Sequence, residues 1–243
     1  MQFFVINLDR EAARLKDFLE ANQGTGIAFT RFPGVNGASL GSLQSMPEIV
    51  TPEASAYTKA SVGAALSHLA LWRECVRQGQ NIAIFEDDAR LRFDLLEQLA
   101  VIEGGKTDWD FLLLGCNTDS VMEIVYAPGI NFAGQFSILN PTEGQINDIR
   151  AKSGSVNLCR LKMAFGGCGY LITPKGARML IEHCFPMDGR AINLWPTDAT
   201  IEAYGIDCMM VGVYPQMNAY TCIPPLAISR NFQINRVDSM SAS

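Results

Sequence analysis

Hydrophobic positions in the first half of the chain switch repeatedly between a strand-like and a helix-like spacing. Residues 2–8 are a short apolar, β-branched run that predicts a first strand. Asp9 then stands where a helix N-cap belongs, and Ala13, Leu15, Phe18 and Leu19 give residues 10–21 an apolar side. Gly24-Thr25-Gly26 ends that helix, and residues 27–32 read as a second strand. Residues 33–57 are rich in Gly, Ser and Pro and have little period, which predicts a long loop of the functional kind. A helix over residues 61–78 follows, with Ser61 as its cap and Leu66, Leu69, Trp72 and Val76 facing inward. The continuous run Ile82-Ala83-Ile84-Phe85 predicts a strand covered on both faces. Residues 95–102 read as a helix and residues 109–116 as another buried strand.

The second half is more mixed. Residues 121–165 predict short strands or a hairpin broken by Pro128, Gly129, Pro141 and Gly144. Gly166-Gly167-Cys168-Gly169 is too glycine-rich for an ordinary central strand and implies close backbone approach. Pro174 opens one helix and Pro196 a second that ends near Gly205, and residues 209–214 read as a last strand. Together these elements predict an α/β fold. It is one domain over residues 1–231 with a mixed, mostly parallel central sheet, followed by a polar tail at 232–243.

Composition narrows the function. Of the 243 residues 48% are hydrophobic and 18% charged, a globular balance. The net charge of −6 argues against a nucleic-acid partner, which needs a basic footprint. No apolar run has transmembrane length, and the N-terminus lacks a basic region and a long apolar stretch, so a cytoplasmic protein is expected. Arg160 and Lys162, or Arg230 and Arg236, offer peripheral contact with a membrane. Seven scattered cysteines, an odd number without Cys-x-x-Cys, predict reduced and mostly buried thiols. Cys168, between glycines, is either a reactive thiol or a packed one. With two histidines, neither at ligand spacing from a cysteine pair, zinc is not expected.

The chemistry-bearing feature is Glu86-Asp87-Asp88, which closes the apolar strand. Open α/β sheets bind ligands beyond the carboxyl ends of their strands. Three adjacent carboxylates repel one another unless a cation or a set of donors compensates them. A divalent ion carrying a diphosphate does so, because Mg²⁺ and Mn²⁺ take carboxylate and phosphate oxygens together. The alternative is an acidic turn facing water.

Several separated motifs resemble glycosyltransferase family 25, which includes bacterial lipooligosaccharide galactosyltransferases and collagen galactosyltransferases. They are Val5-Ile6-Asn7-Leu8-Asp9-Arg10 with Arg14; Gly63-Ala64-Ala65-Leu66-Ser67-His68 with Trp72; Ile84-Phe85-Glu86-Asp87-Asp88-Ala89; and Gly169-Tyr170-Leu171-Ile172 with Pro196-Thr197-Asp198. The resemblance spans about residues 2 to 228. It implies a GT-A-like, Rossmann-like fold, a UDP-sugar donor, a Mn²⁺ or Mg²⁺ cofactor, and inverting transfer of a sugar such as galactose to a cell-surface glycan or lipooligosaccharide acceptor. Ser61, Ala64 and Asn36 depart from residues common at those positions in the family, a glutamate, a cysteine and an aspartate.

On this footing Glu86 and Asp88 are expected as metal ligands, with Asp87 toward the ribose or a metal-bound water. Asn7 and Leu8 would read a pyrimidine edge, and Arg10 and Arg14 would reach phosphate. Gly63 would let the nucleotide or another helix come close, and His68 would bind the donor or pack in the core. Asp198, in the first turn of the helix opened by Pro196, is the expected general base, against the reading that it merely complements the helix dipole. Asp119, Asp188 and Glu202 are the next candidates. Two other functions compete. One is another metal-dependent nucleotide enzyme, for which a glycine-rich phosphate loop is missing. The other is a catalytically silent nucleotide-sugar-binding protein on the same fold.

Overall fold

A computed structural model describes residues 1–195 and 197–230. In chain order the strands and α-helices are β1 (Gln2–Asn7), α1 (Ala12–Asn22), β2 (Phe29–Pro33), α2 (Lys59–Gln78), β3 (Ile82–Glu86), β4 (Ala89–Leu91), α3 (Leu95–Gly104), β5 (Phe111–Gly115), β6 (Val121–Ala127) and β7 (Ile130–Gln135). There follow α4 (Glu143–Arg150), β8 (Asn157–Met163), β9 (Gly169–Ile172), α5 (Pro174–Cys184), β10 (Ala191–Leu194), β11 (Ala199–Glu202), α6 (Ile206–Val211), β12 (Ala219–Ile223) and β13 (Ala227–Ser229).

Nine strands form one sheet in the order β2-β1-β3-β9-β5-β12-β8-β6-β7. It is a mixed sheet in a Rossmann-like single domain, as expected, but its balance differs from the mostly parallel one predicted. Only β1–β2, β1–β3 and β5–β12 are parallel. The antiparallel share is larger because β9 returns late in the chain to insert between β3 and β5, antiparallel to both. Nothing in local periodicity announces such an insertion.

Alternation along the central strands divides the core into two layers. Ile82, Ile84, Phe111, Leu113, Tyr170 and Ile172 pack on one face with α2, α5 and α6. Ala83, Phe85, Leu112, Leu114 and Leu171 pack on the other with Phe18 of α1 and Leu95, Leu99 and Ile102 of α3. Both faces are covered, so β3 and β5 are apolar without interruption.

Several local expectations give way to tertiary contacts. Asp9 does not cap α1; its carboxylate accepts from Arg31 Nη2 at 2.5 Å. The cap of α2 is Thr58, with Ser61 closing the reciprocal box three residues on. Gly169 lies in a central strand after all: a Cβ there would sit 2.6 Å from the Phe85 ring, so the close approach is to a core aromatic. Residues 209–214 are not a strand but continue from α6 into a helical turn, and the last strands are β12 and β13. Where a helix was predicted after Pro196, β10 and β11 form an antiparallel hairpin. Pro196 itself, and the predicted tail at 232–243, lie outside the described residues. Six of the seven thiols are buried and all are free; burial pushes the Cys168 thiol well up, which makes it inert. No helix among the described residues is long and apolar enough to cross a membrane.

Candidate functional site

Parallel β1 and β3 are paired with Ile6 opposite Glu86, so their carboxyl ends open side by side. A cleft of about 570 Å³ lies there, walled by the β1 end, the loop around residues 34–38, the start of α2 and the β3 end. That volume suits a ligand of nucleotide size. Asn7, Leu8, Arg10, Arg14, His68, Glu86 and Asp87 all line it, seven of the ten residues singled out from sequence.

Asn7 is buried and holds the two strand ends together. Its Oδ1 accepts from Arg31 Nε at 3.2 Å, which turns Nδ2 toward Asp87 Oδ2, 2.7 Å away, and toward the Glu11 carbonyl at 2.9 Å. Arg14 reaches across from α1 to form an ion pair with the other Asp87 oxygen. Asp87 therefore has both oxygens engaged. Burial still raises its pKa, with the Asn7 hydrogen bond and the Arg14 charge opposing that rise. Arg10 donates to Asn36 Oδ1 at 2.8 Å, a neutral amide where an aspartate would have cancelled its charge.

Glu86 sits between this cleft and His68. Its Oε1 is 3.9 Å from His68 Nε2, and 47% of its side-chain surface opens to the cleft while protein atoms crowd the rest. Burial raises its pKa, and so does the neighbouring Asp88 charge, while the His68 contact lowers it. Asp88 does not line the cleft. Its Oδ2 accepts from Ser229 Oγ at 2.7 Å, and its Oδ1 is buried without a hydrogen-bond partner among the described residues. Such an orphaned carboxylate oxygen is the kind of acceptor a cation satisfies. The described residues contain no group of three or more His, Cys, Asp and Glu side chains arranged to hold a metal. The strand end thus carries one carboxylate on the cleft, Glu86, and one buried orphaned oxygen, Asp88 Oδ1, and Mg²⁺ or Mn²⁺ there would need a ligand's phosphates to complete its shell.

Besides Asp88, two expected site residues lie outside the cleft. Gly63 does not line the cleft; a Cβ there would lie 2.6 Å from the Val35 carbonyl oxygen, so its smallness seats α2 against the loop that forms the cleft wall. Asp198 lies on the exposed turn between β10 and β11 with φ of 55°, not in the first turn of a helix, and lines neither this cleft nor the one beside it. Asp119, Asp188 and Glu202 line neither cleft either.

The second cleft, about 240 Å³, shares Ala64, His68 and Glu86 with the first. Its far side carries Asp207, which the sequence analysis missed. No motif marks that residue, which falls between the predicted helix ending near Gly205 and the strand predicted over residues 209–214. The departures Asn36 and Ala64 line the first cleft, and Ser61 and Ala64 line the second.

A family model described as "Glycosyltransferase family 25 (LPS biosynthesis protein)" matches residues 1–198. Among curated relatives, "Inactive glycosyltransferase 25 family member 3" of Mus musculus is 28% identical over 151 residues, 55% of this chain and 25% of that one. The Homo sapiens protein of the same name is 30% identical over 149 residues, 55% of this chain and 25% of that one. The matched segment thus spans about a quarter of those relatives' length. Among solved structures, "A197 from STIV" aligns over 91% of this chain and 81% of its own at 11% identity, with a TM-score of 0.37, too loose a likeness to bear on chemistry. The family match covers most of the chain and includes both strand ends that build the larger cleft, so the chain belongs to glycosyltransferase family 25.

Proposed function

We propose that this chain transfers a hexosyl group, galactose in the first instance, from a UDP-sugar to a hydroxyl of a cell-surface glycan or lipooligosaccharide acceptor, with inversion at the anomeric carbon. One observation carries the reading: a nucleotide-sized cleft in which the end of β1, two arginines and the acidic end of β3 line one cavity. In it Asn7 and Leu8 would meet the base, and Arg10 and Arg14 the diphosphate. Asp87 acts through Arg14 and Asn7, which it holds in place. Glu86 and Asp88 would hold Mn²⁺ or Mg²⁺, which when bound supplies positive charge for the departing diphosphate. A lipid-linked acceptor would bring the protein to a membrane surface from the cytoplasmic side as a peripheral visitor.

A second reading is a nucleotide-sugar-binding protein without transfer. The matched mammalian relatives are named inactive, and Asn36, Ala64 and Ser61 differ from family habit at the cleft walls. Calorimetric titration with UDP-galactose and UDP-glucose, in Mn²⁺ and then in EDTA, separates the possibilities when UDP release is followed in parallel. Metal-dependent binding with UDP release supports transfer. Binding without release supports the silent protein. No binding of either donor in any metal overturns both.

A further inference from the structure

Beside the donor cleft, on the far side of Glu86 and His68, the smaller cleft has a composition of its own. Phe111, Tyr170 and Tyr214 lie beneath it, buried and packed on one another, and Tyr204 borders it with half its surface exposed. Asp207 and Glu86 are the carboxylates that line it. An exposed aromatic ring near carboxylates suits a sugar ring, because its C–H face packs on the aromatic while its hydroxyls donate to oxygen.

Asp207 is held but not used up. Its Oδ2 accepts from the Gly166 N–H at 2.9 Å and its Oδ1 from the Cys208 N–H at 2.9 Å. Each oxygen keeps a further lone pair. The first donor depends on glycine: Gly166 has φ of 59°, and a Cβ there would lie 2.5 Å from the Asn117 side chain. That gives the glycine-rich run a task beyond packing, since it aims a backbone N–H at Asp207.

We propose that this smaller cleft is the subsite for the acceptor's hydroxylated ring, with Tyr204 as its stacking wall and Asp207 as the base. The proposal rests on the donor reading above. The acceptor hydroxyl gives its proton to Asp207 as its oxygen pair forms the bond to the donor's anomeric carbon. The bond from that carbon to the β-phosphate oxygen breaks, and its electron pair leaves with UDP. Asp207 then returns the proton to water. The two clefts share Ala64, His68 and Glu86, so an acceptor ring in the smaller one would lie beside a donor in the larger.

The test uses the full chain with Mn²⁺, UDP-galactose and UDP-glucose, and a panel of methyl glycosides as acceptors. Binding of the glycosides is read separately by saturation-transfer NMR. Asp207→Asn should cut transfer to a glycoside by roughly a hundredfold or more and leave UDP affinity unchanged. Tyr204→Ala should raise the glycoside KM severalfold with kcat little altered and the circular dichroism unchanged. Near-normal transfer by Asp207→Asn, or no saturation transfer to any glycoside in the wild-type chain, overturns the subsite. A wild-type chain that binds neither UDP-sugar overturns the donor reading instead.

Discussion

His68 Nδ1 lies 2.8 Å from Tyr170 Oη, and this bond decides what His68 presents to Glu86. Trp72 Nε1 donates to the same oxygen at 2.8 Å, and an indole N–H can only donate. Tyr170 is buried, so its own proton needs an acceptor, and His68 Nδ1 is the one in reach. The imidazole therefore carries its proton on Nε2, the atom facing Glu86 Oε1. Residues from α2, β3 and β9 are tied in this way into one line behind the cleft.

Tyr170→Phe removes that line's centre. The Trp72 N–H is then buried without an acceptor, and the chain should lose about 1–3 kcal/mol. Urea unfolding measures it, and ¹⁵N spectra of His68 should show Nε2–H in the wild type and a mixture of tautomers in the variant. Unchanged stability would mean that the three-way bond contributes nothing.

Glu86 sets a pH dependence. Burial first, and then the charge of Asp88, raise its pKa above the ordinary 4.5. The folded chain therefore binds this proton more tightly than the unfolded one does. Stability falls as pH rises from the unfolded value through the folded one, and the cost persists at neutral pH. Glu86→Gln should raise the melting temperature of the metal-free chain at pH 7, with the gain disappearing below about pH 4.5. The gain is modest, because much of the side chain is open to the cleft. The same variant should weaken Mn²⁺-dependent UDP binding. A variant less stable than wild type at neutral pH contradicts the account.

Asp88→Asn keeps an oxygen for Ser229 and removes the charge. Donor affinity in Mn²⁺ should drop by roughly tenfold or more, toward the value in EDTA, with circular dichroism unchanged. Metal-independent binding equal to wild type would take Asp88 out of the metal site.

Asp198 is the non-glycine residue with positive φ among those described. Aspartate tolerates that region better than most residues, but glycine has no Cβ to strain. Asp198→Gly should leave stability unchanged or raise it by up to about 1 kcal/mol. Asp198→Asn should leave transfer within a few-fold of wild type. A hundredfold loss of transfer at constant UDP affinity would return the base to Asp198 and remove it from Asp207.

Much of the donor cleft was legible in the chain. The apolar run into Glu86-Asp87-Asp88 marks a strand end whatever surrounds it, because a strand covered on both faces must be apolar until it leaves the sheet. Asn7 was legible in place but not in role, since its bond to Asp87 spans 80 residues. Gly63 was misread for a related reason: a small residue in a helix announces close approach without saying of what, and here it is the Val35 carbonyl.

Local spacing determined the α/β class, β1, β3, β5 and the helices α2, α3 and α5, because burial of one face or two imposes a period that neighbours along the chain record. Tertiary structure decided the rest. Whether β9 would insert between β3 and β5 depends on strands more than fifty residues away. The stretch 199–202, read locally as helix, became a hairpin strand because β10 was there to pair with it. Asp207 reached the cleft only because α6 packs against α2 and α5 beneath it. A carboxylate has no period of its own. Its place is set by the backbone that carries it and by donors such as the Gly166 N–H, which lie far away in sequence and become neighbours only when the sheet closes.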